Sequence, residues 1–166
     1  MILTPVLVIV AGIAASVVDI QKRRVPNVLT MGLASVGLLL AMAGLGSVTV
    51  GGALGGLALG LALLMPAHIF GATGAGDVKL LAAFGALLGP AGVFDAFLRA
   101  AILGGVMALA VAVWRGRLRQ TLYGTAMLVS TRSRAVAAVI EDPASNNRFP
   151  YAPAIALGAA LAVVGL

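Results

Sequence analysis

Two aspartates, Asp19 and Asp77, stand where long apolar runs break off. The local sequences are Asp19-Ile-Gln-Lys-Arg-Arg-Val-Pro-Asn27 and Gly71-Ala-Thr-Gly-Ala-Gly-Asp77-Val-Lys79. A carboxylate beside a membrane span is costly, so an ionisable residue there is by default a candidate functional site. If the two meet, like-charge repulsion lets them share one proton. One carboxylate then takes a proton from water while the other donates to the carbonyl oxygen of a scissile amide. No covalent intermediate is needed, and the chemistry is that of an aspartyl endopeptidase. Asp19 closes a helix, at the negative end of its dipole, and is expected to be mostly the proton carrier. Asp77 opens a helix, where the dipole favours an anion, and is expected to be the base. Each also has a plainer reading. Asp77 suits a helix N-cap, and Asp19 suits an interfacial acid paired with Lys22 or Arg23.

The neighbours of the pair have more ordinary roles to choose from. Gly74 and Gly76 lack side chains, which allows a tight turn and lets an extended substrate backbone come near Asp77. Gly71 and Gly76 have the spacing of a phosphate-binding loop, but Asp77-Val78 follows where Lys-Ser/Thr is required, so that motif fails. Pro26-Asn27 reads as a helix start with Asn27 as N-cap. Lys79 either tunes Asp77 or is simply a cation at the membrane interface. His68 has no partner for a metal site and is read as structural. Asp95 is expected on the opposite side of the membrane. Glu141 and Asp142, in a polar loop before Pro143, are the only acids placed to rival the pair. With no cysteine in the chain, disulfides, thiol catalysis and cysteine-held metals are excluded. No metal and no cofactor are expected.

These residues must be positioned by membrane-spanning helices. The chain is 61% hydrophobic and 10% charged, with a mean hydropathy of +1.13; soluble domains carry about 25% charged residues. Apolar runs at 2–18, 28–45, 50–70, 78–93, 96–114 and 150–166 are candidate spans. Gly89-Pro90 stands to end the fourth one early. The fold class expected is all-α: one polytopic membrane domain over 1–166, a bundle of about six transmembrane helices. The first run lacks a basic leader and a cleavage site, so it is read as a retained helix. Lys22, Arg23, Arg24, Lys79, Arg115, Arg117, Arg119, Arg132, Arg134 and Arg148 fall on one side of this topology, with only Arg99 on the other. Cations mark the cytoplasm, so the N-terminus is expected outside and both aspartates at the cytoplasmic face. The same distribution assigns the net charge of +6 to membrane topology and not to nucleic acid. Small residues at Gly51–Gly60 and at Gly104-Gly105 suit close helix contact. The segment from about 115 to 148 reads as an amphipathic helix on the inner leaflet, with anionic lipid as its partner.

Three blocks in order, Asp19 with Arg24-Val-Pro26-Asn27, then Gly74-Ala-Gly76-Asp77-Val-Lys79, then Pro150-Tyr-Ala-Pro153-Ala-Ile-Ala-Leu-Gly158, resemble the type IV prepilin peptidase family. The resemblance covers essentially the whole chain. It implies an intramembrane aspartyl protease of the inner membrane whose catalytic pair matches Asp19 and Asp77. Its substrate would be a prepilin-like protein with a basic leader and an apolar helix, cut after a glycine at the cytoplasmic face. Larger bacterial members add a zinc-binding cytoplasmic domain and N-methylate the new terminus. This chain has neither the cysteines nor the room for that domain, so methylation is not expected. It looks like the short members associated with Flp/Tad-type pili. The alternative from another class is a small proton-coupled transporter using the same aspartates as a relay, and a third is a non-catalytic assembly subunit. Against the relay, both acids sit at one face and no charge lies in mid-span.

Overall fold

A computed structural model describes residues 3–22, 25–70, 73–114 and 151–165. The segment at 115–148, with Glu141 and Asp142, lies outside them, as do Arg23, Arg24 and Pro150. Five helices account for nearly all the described residues: α1 (Leu3–Lys22), α2 (Asn27–Met42), α3 (Val50–Ile69), α4 (Ala75–Trp114) and α5 (Ala152–Val164). Among the described residues the fold is all-helical.

α4 is not one straight rod. Gly89 has φ 73° and ψ −178°, a conformation open to glycine and strained for other residues, and Pro90 follows it. Leu81 from before the break and Phe97, Ala100 and Ala101 from after it line the same small cavity of about 20 Å³. On a straight helix Leu81 and Ala101 would be about 30 Å apart. The two limbs, 75–88 and 90–114, therefore run antiparallel. This corrects the limits of the expected fourth and fifth spans: the chain reverses at Gly89-Pro90, and no loop separates residues 93 and 96. Asp95 and Arg99 lie within the second limb. There the guanidinium Nε donates to both carboxylate oxygens of Asp95 at 3.0 Å.

The first limb of α4 is the centre of the molecule. Val78, Leu80, Leu81, Ala83, Phe84 and Leu87 are all buried in one core with Val8, Leu64, Val93 and Ile155. Neighbouring helices reach its backbone through positions without side chains. Gly56 on α3 meets Gly85, and a Cβ at Gly60 would stand 2.7 Å from the Cα of Ala82. Gly37 on α2 lies against Ala86 in the same way. Without a hydrophobic force between helices in lipid, such close approach is what holds a bundle together. α1 packs on α5 through Gly12 and Ala156.

The outer surface is apolar: Val10, Ile13, Ile20, Val28, Met31, Leu39, Ile102 and Trp114 are all exposed. α1, α3 and the stretch Ala75–Ala110 are long and apolar enough to cross a membrane, and α2 and α5 are shorter apolar helices. At one end of the bundle, Val25 of the α1–α2 link meets Gly76, and the start of α5 meets Asp19. At the other end, Val48 of the α2–α3 link touches Gly89, and the Ser47 hydroxyl donates to that of Thr4 at 2.8 Å.

Candidate active site

Asp77 lies in the first turn of α4 and is 8% exposed. Its own N–H and that of Val78 donate to the carbonyl of Gly74, at 3.1 and 3.4 Å. Gly74 N–H donates back to Asp77 Oδ2 at 3.2 Å. The bond from Gly74 N–H to the carboxylate is one half of a capping box, with Asp77 three residues in from Gly74; glycine has no side chain to complete the other half. Asp77 is therefore not itself the N-cap, and the helix begins earlier than residue 78. One carboxylate oxygen is committed to the turn, and the helix N-terminus favours negative charge beside it.

Asp19 lies in the last turn of α1 and is 6% exposed. Its Oδ2 accepts a hydrogen bond from the N–H of Ala152, the first residue of α5, at 3.3 Å. The dipole argument from α1 alone is thus incomplete, because the carboxylate also meets the positive N-terminus of a second helix. Both acids occupy helix N-termini in this sense, and the electrostatic distinction between them expected from α1 and α4 is reduced. Asp19 is close enough to act on Asp77 through its charge, and Asp77 acts in turn on the phenol of Tyr151. Two carboxylates, separated by 58 positions in the chain, share one partly desolvated region at one end of the bundle.

The other motif residues build the frame. Lys79 Nζ donates to Asn27 Oδ1 at 2.9 Å, tying the start of α2 to the start of α4. Asn27 is not the N-cap of α2. Pro26 holds that position, with φ −64° and ψ 137°, and makes no side-chain cap. Neither Gly74 nor Gly76 has the positive φ of a glycine-only turn; among the described residues the glycines that do are Gly44, Gly89 and Gly165. A Cβ at Gly76 would lie 3.2 Å from that of Val25 and 3.3 Å from its backbone nitrogen. Gly76 thus admits the chain's own α1–α2 link. His68 Nδ1 lies 3.0 Å from the carbonyl of Thr73. A carbonyl only accepts, so Nδ1 carries the proton and braces the link before Gly74. Asp95, paired with Arg99, lies away from this end.

The third sequence block, Pro150–Gly158, contains Tyr151 and Ala152, but the sequence singles out neither the phenol nor the Ala152 N–H. The block Pro150-Tyr-Ala-Pro153 marks a helix start, but a free backbone N–H leaves no side-chain signature. Among the described residues, no three His, Asp or Glu side chains gather as metal ligands would.

Comparison with known proteins places these residues in context. A profile of the type IV leader peptidase family matches residues 6–109, which include both Asp19 and Asp77. Two proteins of Burkholderia pseudomallei, from strains 1026b and K96243, are each named prepilin leader peptidase/N-methyltransferase. Each is 37% identical to this chain over 115 residues, 66% of its length. The matched part spans 37% of those relatives. No solved structure matches the chain.

Proposed function

The chain belongs to the type IV leader peptidase family, and from that premise we propose that it is an aspartyl endopeptidase acting on prepilins. The observation that carries the reading is the pair Asp19 and Asp77. Both are buried carboxylates, brought from two helices to one end of the bundle, each accepting a backbone N–H at a helix start. Two ionised carboxylates in such a region repel, and sharing one proton relieves them. The ionised member removes a proton from water, and water attacks the scissile carbonyl. The protonated member donates to the carbonyl oxygen and then, through the dyad, a proton reaches the leaving amine. Because the two groups titrate as a unit, base and acid are roles within the pair.

In this reading residues 1–166 form one multi-pass peptidase domain of six passes in the inner membrane, with the N-terminus outside. The two limbs of α4 are the fourth and fifth passes. The cation distribution supports a dyad at the cytoplasmic face. The substrate is an Flp-type prepilin whose apolar helix enters from lipid and whose basic leader lies beside anionic headgroups. Only peptide hydrolysis is assigned to this chain. The N-methyltransferase in the relatives' name has no assigned residue here, and no metal or cofactor enters the proposal. A proton relay across the membrane is less well supported. Both buried acids lie at one end, and Asp95 is held by Arg99.

The test is cleavage of a purified Flp-type prepilin by the full chain in lipid, followed by mass spectrometry. The leader is expected to be released after a glycine. Asp19→Ala and Asp77→Ala should each abolish the product, and Glu141→Ala and Asp142→Ala should leave it. Cleavage that survives both of the first two changes would end the proposal.

A further inference from the structure

The second limb of α4 contributes no motif residue, yet Tyr151, immediately before α5, packs against it. A Cβ added at Gly104 would lie 2.5 Å from the hydroxyl of Tyr151 and 2.6 Å from its Cζ. The phenol therefore occupies the space that any larger residue at position 104 would take. Among the described residues, nothing lies within 4 Å of a Cβ at Gly105 beside it, so within them the glycine pair is not uniformly a helix-packing device.

We propose that Tyr151 is a positioning residue of the dyad: its ring, seated on Gly104, holds the first N–H of α5 against Asp19 and thereby fixes the Asp19 carboxylate in place. The carbonyl of Tyr151 accepts from the N–H groups of Ala154 and Ile155, at 3.1 and 3.2 Å. The ring and the first turn of α5 thus move together. The next residue, Ala152, has no partner for its N–H within the helix, as is general for a first turn, and gives it to Asp19 Oδ2 at 3.3 Å. That distance is at the long end for an N–H···O bond, so a small displacement of the turn breaks it. Gly158 makes a second contact with the same limb, at Ala96 and Ala100. That contact lies further along α5, so of the two the Tyr151 seat is the nearer to the Ala152 N–H that meets Asp19.

The activity arm of the test rests on the peptidase reading, and a second arm does not. Gly104→Ala acts directly on the seat, because the three nearest atoms its Cβ would meet are the hydroxyl, Cζ and Cε2 of Tyr151. Tyr151→Ala and Gly104→Ala are each expected to lower kcat by about tenfold or more, with KM within about twofold, as misplaced catalytic groups do. Tyr151→Phe keeps the ring on its seat and should stay within about threefold of the unmodified enzyme. In the second arm, the cysteine-free chain carries Asp19→Cys with Ala152→Cys, and a short thiol cross-linker joins them. Adding Gly104→Ala should slow cross-linking about tenfold. Full kcat in Tyr151→Ala or in Gly104→Ala, or cross-linking indifferent to Gly104→Ala, overturns the seat. If the unmodified protein cleaves no prepilin while cross-linking slows as expected, the peptidase reading falls and the seat stands.

Discussion

Each buried acid is met by a single described backbone N–H, from Gly74 at Asp77 and from Ala152 at Asp19. An ionised carboxylate has acceptor sites for about four, so both retain capacity for water and for a shared proton. A purely structural capping residue behaves differently when neutralised. Asp77→Asn keeps an oxygen to accept from Gly74 while removing a buried charge. Thermal unfolding in detergent should therefore change by no more than about 1 kcal/mol, while prepilin cleavage falls by at least about a thousandfold. A loss of several kcal/mol in stability would mark Asp77 as part of the scaffold. The bond between Lys79 and Asn27 is exposed. Lys79→Ala should cost less than about 1 kcal/mol and leave measurable cleavage. The placement of the two acids at one end of the bundle was legible in the sequence because a charge at the edge of an apolar run has so few inexpensive explanations. Asn27 was misread because capping preference is local, whereas its actual partner is 52 positions away. Tyr151 was silent for the same reason: its meaning depends on the missing side chain at Gly104.

Among the elements, the glycines of α3 and α4 act as interfaces and not as flexible points. Gly56 and Gly85 meet backbone to backbone, whereas among the described residues nothing lies within 4 Å of a Cβ at Gly51 or Gly105. Gly56→Ala should therefore destabilise the bundle by about 1–3 kcal/mol. Gly105→Ala should be neutral or slightly stabilising, since alanine favours a helix by up to about 1 kcal/mol over glycine. Unfolding in detergent checks the pair, and equal effects would show that the helix contacts are wrongly assigned. The small-residue spacing on α3 was readable from sequence, although not which of its glycines touch α4. The reversal in α4 was half readable. Hydrophobic runs are blind to chain direction, so the apolar stretch seemed to continue to residue 93. Only Gly89-Pro90 signalled the turn, and the left-handed backbone at Gly89 executes it.

For the molecule as a whole, the bundle has two unlike ends. One gathers Asp19, Asp77, the Asn27–Lys79 bond and the start of α5; the other holds the α2–α3 link and the reversal at Gly89. The absence of cysteine makes this simple to orient. In intact cells, Leu45→Cys should react with an impermeant thiol reagent and Lys22→Cys should not; the reverse pattern would turn the dyad outward. The central claim, that two distant carboxylates work as one catalytic unit, is tested most directly by a mutant cycle on prepilin cleavage. Asp19→Asn, Asp77→Asn and the double variant should all fall to the same residual rate, because removing either member disables the pair. A single variant that still cleaves at near the unmodified rate, or two losses that simply multiply, would contradict it.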